Sequence, residues 1–291
     1  MDALAWEAEP PKLRSPALVC AFAGWNDAAG SATTALTTAA ESLDAELIAQ
    51  VDPEEFFDFQ ANRPTISLSE GQAREIEWPG NVLMAATPHG AERDLVLLAG
   101  TEPNLRWRTF SEGLAEAAEE LGVEMVITLG ALIADVAHTL PVPITGLASD
   151  SDLVDRLDLQ RSSYEGPTGV VGVLHDACNR RGMASASLWA AVPHYVAAVP
   201  NPKAALALLR RLEGLVGVAL DASSLEEDSE SFERQVSNAV SANPEIQDLV
   251  QRLEREQAEQ LELPDNLPSG EALARQFERF LRQQGNESPE G

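Results

Sequence analysis

Ala17-Leu-Val-Cys-Ala-Phe-Ala-Gly-Trp-Asn-Asp-Ala-Ala-Gly30 is the stretch on which the fold turns. The apolar run Ala17 to Phe22 meets Gly24 and a Trp25-Asn26-Asp27 triplet that reads as exposed. A small-residue segment, Ala28 to Leu43, follows with helical character. This pattern predicts a strand, a tight turn and a helix start. Asp27 is placed to cap that helix, because a carboxylate there accepts the free N–H groups of the first turn. Ligand sites in α/β proteins lie at such strand-to-helix turns.

Working outward, further strands are expected at 46–51, 56–59, 65–68, 75–78 and 81–87. The strand expected at 94–100 is continuously apolar after Asp94, as in a sheet covered on both faces, and 123–129 reads as another buried strand. Two more strands are expected at 141–146 and 184–192. Helices are expected at 107–121, 168–180 and 202–218, with Gly182 as a C-terminal stop. Strand and helix alternate, so residues 15–220 read as a three-layer α/β/α domain behind an N-terminal segment, 1–14. Strand signal then ends. Residues 221–284 read as a helical extension, with helices beginning near Asp221, at 244–261 and at 269–284; 285–291 reads as a disordered tail.

Composition excludes several functions. The 291 residues are 44% hydrophobic but only 5% aromatic, so the core must be Leu, Val and Ala. The net charge is −27, and the lysines are Lys12 and Lys203 alone. Such a chain repels phosphate backbones and anionic lipid surfaces, which argues against nucleic-acid and membrane partners. Cys20 and Cys178 lack CxxC neighbours and read as buried thiols in a reducing compartment. No basic–apolar leader and no apolar run of about 20 residues is present, so the expected location is cytoplasmic.

Several groups could carry chemistry. Glu102, in Gly100-Thr-Glu-Pro-Asn104, follows a central strand where catalytic carboxylates often sit, with Arg106 and Arg108 near enough in sequence to balance it. His138 follows another strand, as does His194; either is a candidate base. A lone loop histidine is more often structural, and a Glu–Arg pair often only orders a loop. Gly166, Thr168 and Gly169 form a second turn before a helix, which Thr168 could cap. The candidate ligand-binding set is therefore Gly24, Trp25, Asn26, Asp27, Glu102, Gly166, Thr168 and Gly169, with Glu102 and His138 as candidate catalytic residues. No HExxH spacing, nucleophile elbow or P-loop occurs, and neither a metal nor a cofactor is expected.

Gly24-Trp-Asn-Asp27, Arg93-Asp-Leu-Val-Leu-Leu-Ala-Gly-Thr-Glu-Pro103, Trp107, Tyr164-Glu-Gly-Pro-Thr-Gly169 and Pro193-His-Tyr195 together resemble the bacterial branch of the proteasome assembly chaperone family, close to its second chaperone subunit. The resemblance covers about residues 15–220. It implies an α/β/α core similar to purine nucleoside phosphorylases and nucleosidases, assembly into homo-oligomers, and a helical C-terminal extension like that of actinobacterial members. Eukaryotic relatives hold proteasome α-subunits without chemistry, so the resemblance implies proteasome-related protein partners. Some bacterial relatives carry an ATP-grasp ligase label. Such a site needs basic side chains on the nucleotide phosphates, and Lys12 and Lys203 are the only lysines here.

Two functions stand at this stage. One is a non-catalytic oligomeric protein-binding module. The other is an enzyme or small-ligand binder with a nucleosidase-like cleft. Convergence of Asp27, Glu102, His138 and Thr168 on one open cavity would favour the second.

Overall fold

Unbroken apolar runs such as 95–100 suit a sheet covered on both faces. The computed structural model describes residues 4–69, 73–148, 153–155, 158–161 and 165–262. Its strands are β1 (Leu4–Trp6), β2 (Ala17–Ala23), β3 (Glu46–Val51), β4 (Thr65–Ser69), β5 (Ala73–Glu77) and β6 (Asn81–Ala86). They continue with β7 (Leu95–Thr101), β8 (Met125–Ala134), β9 (Ile144–Ala148), β10 (Gln160–Arg161) and β11 (Ala184–Pro193). Nine of them form one sheet in the order β1-β3-β6-β7-β2-β8-β11-β9-β10, while β4 and β5 form a separate two-stranded ribbon. The four central strands β7, β2, β8 and β11 are mutually parallel, so their C-terminal ends share one rim. Towards one edge β6, β3 and β1 are added antiparallel; towards the other, β9 pairs antiparallel with β11 and β10 parallel with β9.

The period-2 alternation of β2 sorts its side chains into two cores. Ala17, Val19 and Ala21 join the cluster under α1 (Ser31–Ser42) and α5 (Pro202–Val216), with Leu36, Leu208, Leu209 and Leu212. Leu18, Cys20 and Phe22 join the opposite cluster under α3 (Trp107–Glu120) and the helix Val170–Arg180, here α4, with Phe110, Leu114 and Leu174. Each fully buried Leu or Phe contributes roughly 1.5–3 kcal/mol. The cysteines Cys20 and Cys178 are buried free thiols in the second cluster, and burial pushes the Cys178 thiol up to about 12.

A third cluster lies outside the sheet. The helices α6 (Ser223–Ser241) and α7 (Pro244–Glu262) bury Val236, Val240, Val250 and Leu253 against Ala137. The expected helix at 269–284 and the tail 285–291 lie outside the described residues. Among the described residues, no helix is long and apolar enough to cross a membrane.

Four local expectations differ. Residues 56–59 do not form a strand; Pro53–Phe56 is a short helix, α2, with proline at its first turn and the Asp52 side chain accepting the Glu54 N–H at 3.0 Å. Phe56 and Phe57 are apolar because they are buried, not because they alternate across a sheet. The helix expected from Ala28 starts at Ser31, because Ala29 (φ 55°) and Gly30 (φ 63°) are both left-handed and break the helix. β8 runs to Ala134, paired with β11 over its whole length, well beyond the expected end at 129. The short edge strand β1 pairs antiparallel with β3 and was not foreseen at all.

Candidate functional site

The rim loops after β2 and β7 meet each other and the start of α4. Gly24 holds φ at 132°, which turns the chain sharply out of β2. The Glu102 backbone N–H donates to the Ala23 carbonyl at 2.9 Å, so the ends of β2 and β7 are pinned together. The Asn26 carbonyl accepts the Ala131 N–H at 2.8 Å, which ties the same turn to β8. The Trp25-Asn26-Asp27 triplet is therefore less exposed than its polarity implies: Trp25 is half-buried, Asn26 is 3% exposed and Asp27 is 7% exposed.

Asp27 does act on the helix start. Its Oδ1 accepts the Ala32 N–H at 2.6 Å, and its Oδ2 accepts the Thr33 hydroxyl at 2.5 Å and the Thr33 N–H at 3.4 Å. Burial raises its carboxyl pKa, and these three bonds work against that rise. A carboxylate with its acceptor sites already committed to a helix is a cap.

Glu102 does the same for α4. Its Oε1 accepts the Val170 N–H at 2.8 Å. The residue expected to cap that helix, Thr168, is exposed and supplies no cap; its hydroxyl reaches only the Gly169 carbonyl, at 3.4 Å. Gly169 sits in the helix's N-cap position and is packed against the other turn. A Cβ placed on it would lie 2.7 Å from Asn26 Nδ2, 2.7 Å from Glu102 Oε1 and 3.4 Å from the Trp25 ring. Gly166 is exposed beside it. The expected Arg106 balance does not form: Arg106 pairs with Glu55 and lies over the Phe56 ring.

Gly24, Trp25, Asn26, Glu102 and Gly169 are thus brought together, with Asp27 directly behind them. His138 is not among them. It is 3% exposed in the loop after β8, beneath α6 and α7. Tyr195 Oη accepts the His138 backbone N–H and also bonds its Nδ1, both at 2.8 Å, while Nε2 meets Ser237 Oγ at 3.1 Å. The Lys203 ammonium donates to the His138 carbonyl and to Glu233, each at 2.5 Å. Burial, reinforced by Lys203, holds the imidazole pKa below its ordinary value. His194, the other candidate base, faces Asp135 at 3.2 Å.

The sequence reading missed two features here. One is the fastening of the C-terminal helices through His138 and Tyr195, which spans 99 residues to Ser237 and leaves no local signal. The other is Asn26 Nδ2, buried with no hydrogen-bond partner among the described residues. A shallow cleft of about 430 Å³ lies away from the rim, lined by Glu9, Lys12, Leu13 and Glu120 among others.

A parallel-centred α/β/α sheet whose rim loops are locked by backbone and carboxylate bonds, with a helical pair laid over one end, defines the class. The chain belongs to the PAC2 family, which it matches over residues 21–240. Among solved structures it is similar to a PAC2 family protein from Streptomyces avermitilis, at 46% identity and a TM-score of 0.75, covering 81% of this chain and 99% of that one. It is similar to a proteasome-assembly chaperone homologue from Mycobacterium tuberculosis, at 42% identity and a TM-score of 0.73, covering 80% and 99%. An archaeal proteasome activator from Pyrococcus furiosus shares the fold, at 19% identity and a TM-score of 0.63, covering 82% and 99%. No protein of curated function matches.

Proposed function

We propose that this chain is a non-catalytic, homo-oligomeric protein-binding module whose partners are proteasome-related. The likeness to the mycobacterial chaperone homologue supports the partner class. The observation that carries the non-catalytic reading is the Glu102–Val170 bond: the carboxylate best placed for chemistry is committed to a helix N-terminus. Asp27 is similarly committed, and His138 fastens α6 to the body while its neighbours Ala137 and Thr139 bond α7. The rim loops then serve as a rigid frame. The test is affinity purification of the full chain from its native cell at several salt concentrations, with proteasome subunits identified by mass spectrometry. Their repeated absence would remove the partner assignment.

One observation favours a second reading, a small-ligand binder at the same rim. The buried Asn26 Nδ2 has a donor to offer beside Glu102 and Gly169. In that reading Gly24, Trp25, Asn26, Asp27, Glu102, Gly166, Thr168 and Gly169 form the binding set. A thermal-shift screen with nucleosides, nucleotides and amino acids tests it: a ligand present at a hundred times its Kd stabilises by about 2.7 kcal/mol. Stabilisation that disappears in Glu102→Gln supports the reading, and a flat screen ends it.

A further inference from the structure

The ribbon β4–β5 stands apart from the nine-stranded sheet, so each of its strands has one edge without a neighbour among the described residues. An isolated two-stranded hairpin is marginal in water, and a third strand is what it needs. An unpaired edge offers its N–H and C=O groups to another chain, and proteins guard such edges with charge. The two edges here are guarded differently. β5 carries Arg74, Glu75 and Glu77 within five residues. β4 is Thr65-Ile-Ser-Leu-Ser69, without a charge, and its first four residues are exposed. The open edge is therefore that of β4.

The sequence of β4 is complementary to itself about Ser67. A two-fold axis there sets two copies antiparallel and pairs all five residues: Ser67 with Ser67, Ile66 with Leu68 and Thr65 with Ser69. Pro64, with no N–H to offer, ends the paired stretch on one side. Leu68 and Ile66, at 67% and 63%, are the most exposed large apolar side chains among the described residues, and this register sets each beside the other at about 4.5–5.5 Å between Cβ atoms. Ile76, opposite Ile66 in its own copy, extends the apolar row onto the outer strand. Arg74, opposite Leu68, holds the corresponding position at the far end of the same row.

Charge selects this pairing. An axis through Arg74, Glu75 or Ile76 of β5 would set like charges directly opposite, which destabilises a sheet. In the β5-β4-β4-β5 sheet the two Glu75 residues stand three strand spacings apart, about 14 Å, beyond the screening length of about 8 Å at physiological ionic strength. The net charge of −27 still repels copies at long range, so association should tighten as salt rises.

We infer that the outer edge of β4 is a homodimer contact, in which a second copy of this chain completes a four-stranded antiparallel sheet about Ser67. This rests on the homo-oligomeric reading of the chain and names its contact. The experiment is a charge exchange at the axis, read by sedimentation equilibrium of the full chain. Ser67→Lys and Ser67→Glu each place like charges opposite one another and should weaken association about fivefold or more, while their equimolar mixture should restore it. In parallel, Ser67→Cys treated with a short bismaleimide, purified and in extract of the producing cell, should give a linked dimer of this chain. Glu75→Cys should not, and the native thiols are buried. An oligomeric parent whose assembly ignores both charges, or a mixture no better than either variant alone, would overturn the inference and leave the homo-oligomeric reading standing. A parent that stays monomeric at every concentration and salt would remove both. Links from position 67 only to a different protein would overturn the self-pairing and assign the edge to that partner.

Discussion

Glu102 and Val170 stand 68 residues apart and share a 2.8 Å hydrogen bond, so the carboxylate of one loop caps the helix of another. The backbone around Gly169 offers α4 no side-chain cap of its own. Removing the acceptor in Glu102→Ala should cost about 1–2 kcal/mol in equilibrium denaturation. Glu102→Gln keeps a side-chain oxygen within reach and should retain most of that stability. Equal losses in both variants would mean the charge, and not the bond, matters.

Gly169→Ala should destabilise by roughly 1–3 kcal/mol through crowding, since the new Cβ would meet both Asn26 Nδ2 and Glu102 Oε1 at 2.7 Å. Its φ of −92° carries no strain, so the cost is contact alone. Gly182 is the opposite case: φ is 77° and nothing lies within 4 Å of its missing Cβ. Gly182→Ala should cost about 1 kcal/mol, from the backbone only. Chemical denaturation of the two variants separates the mechanisms, because only the Gly169 loss should shrink when Glu102→Ala is added.

Tyr195→Phe removes the hydroxyl that accepts the His138 N–H and bonds Nδ1. A buried N–H left without a partner costs about 1–3 kcal/mol. The loss should be local: amide hydrogen exchange in α6 and α7 should quicken while β2, β7 and β8 keep their protection. Uniform acceleration across the sheet would show that the helices are not a separately releasable unit.

Acid should weaken the fold through His175. Its Nε2 bonds Thr128 Oγ1 at 3.0 Å, and burial pushes the imidazole pKa down to about 4. The unfolded imidazole takes its proton near 6.5, so the unfolded state binds more protons between those values. The associated stability is complete above about pH 6.5. It declines as pH falls toward 4. His138, also held low, adds a drop of the same sign, whereas the raised Asp27 carboxyl acts in the opposite sense. Denaturation midpoints measured from pH 7 to pH 4 should fall less steeply in His175→Gln, which keeps a polar partner for Thr128 and does not titrate. Parallel curves would contradict the assignment.

The central strands were legible because burial on both faces favours runs of apolar residues, as in Ala17 to Phe22 and 95–100. The Asp27 cap was legible because donor and acceptor lie within six residues. Legibility failed where the partner is distant. Thr168 looked like a helix cap, but the cap comes from Glu102. His138 looked like a rim base, but its partners are Tyr195, Lys203 and Ser237, two of them on helices late in the chain. Phe56 and Phe57 looked like a strand, since apolar spacing over four residues cannot separate a strand from a buried helical turn. The ribbon β4–β5 was readable as alternation, but the exposure of Ile66, Leu68 and Ile76 was not. Alternation says which residues share a side and is silent on what lies beyond it.

Lysine scarcity has a practical corollary. Lys203 is 16% exposed and holds both Glu233 and a main-chain oxygen, whereas Lys12 is exposed on the N-terminal segment. Reagents and immobilisation chemistries directed at lysine side chains should therefore favour Lys12 over Lys203, leaving the terminal α-amine as their other target. A conjugate made at Lys12 presents the molecule in one orientation.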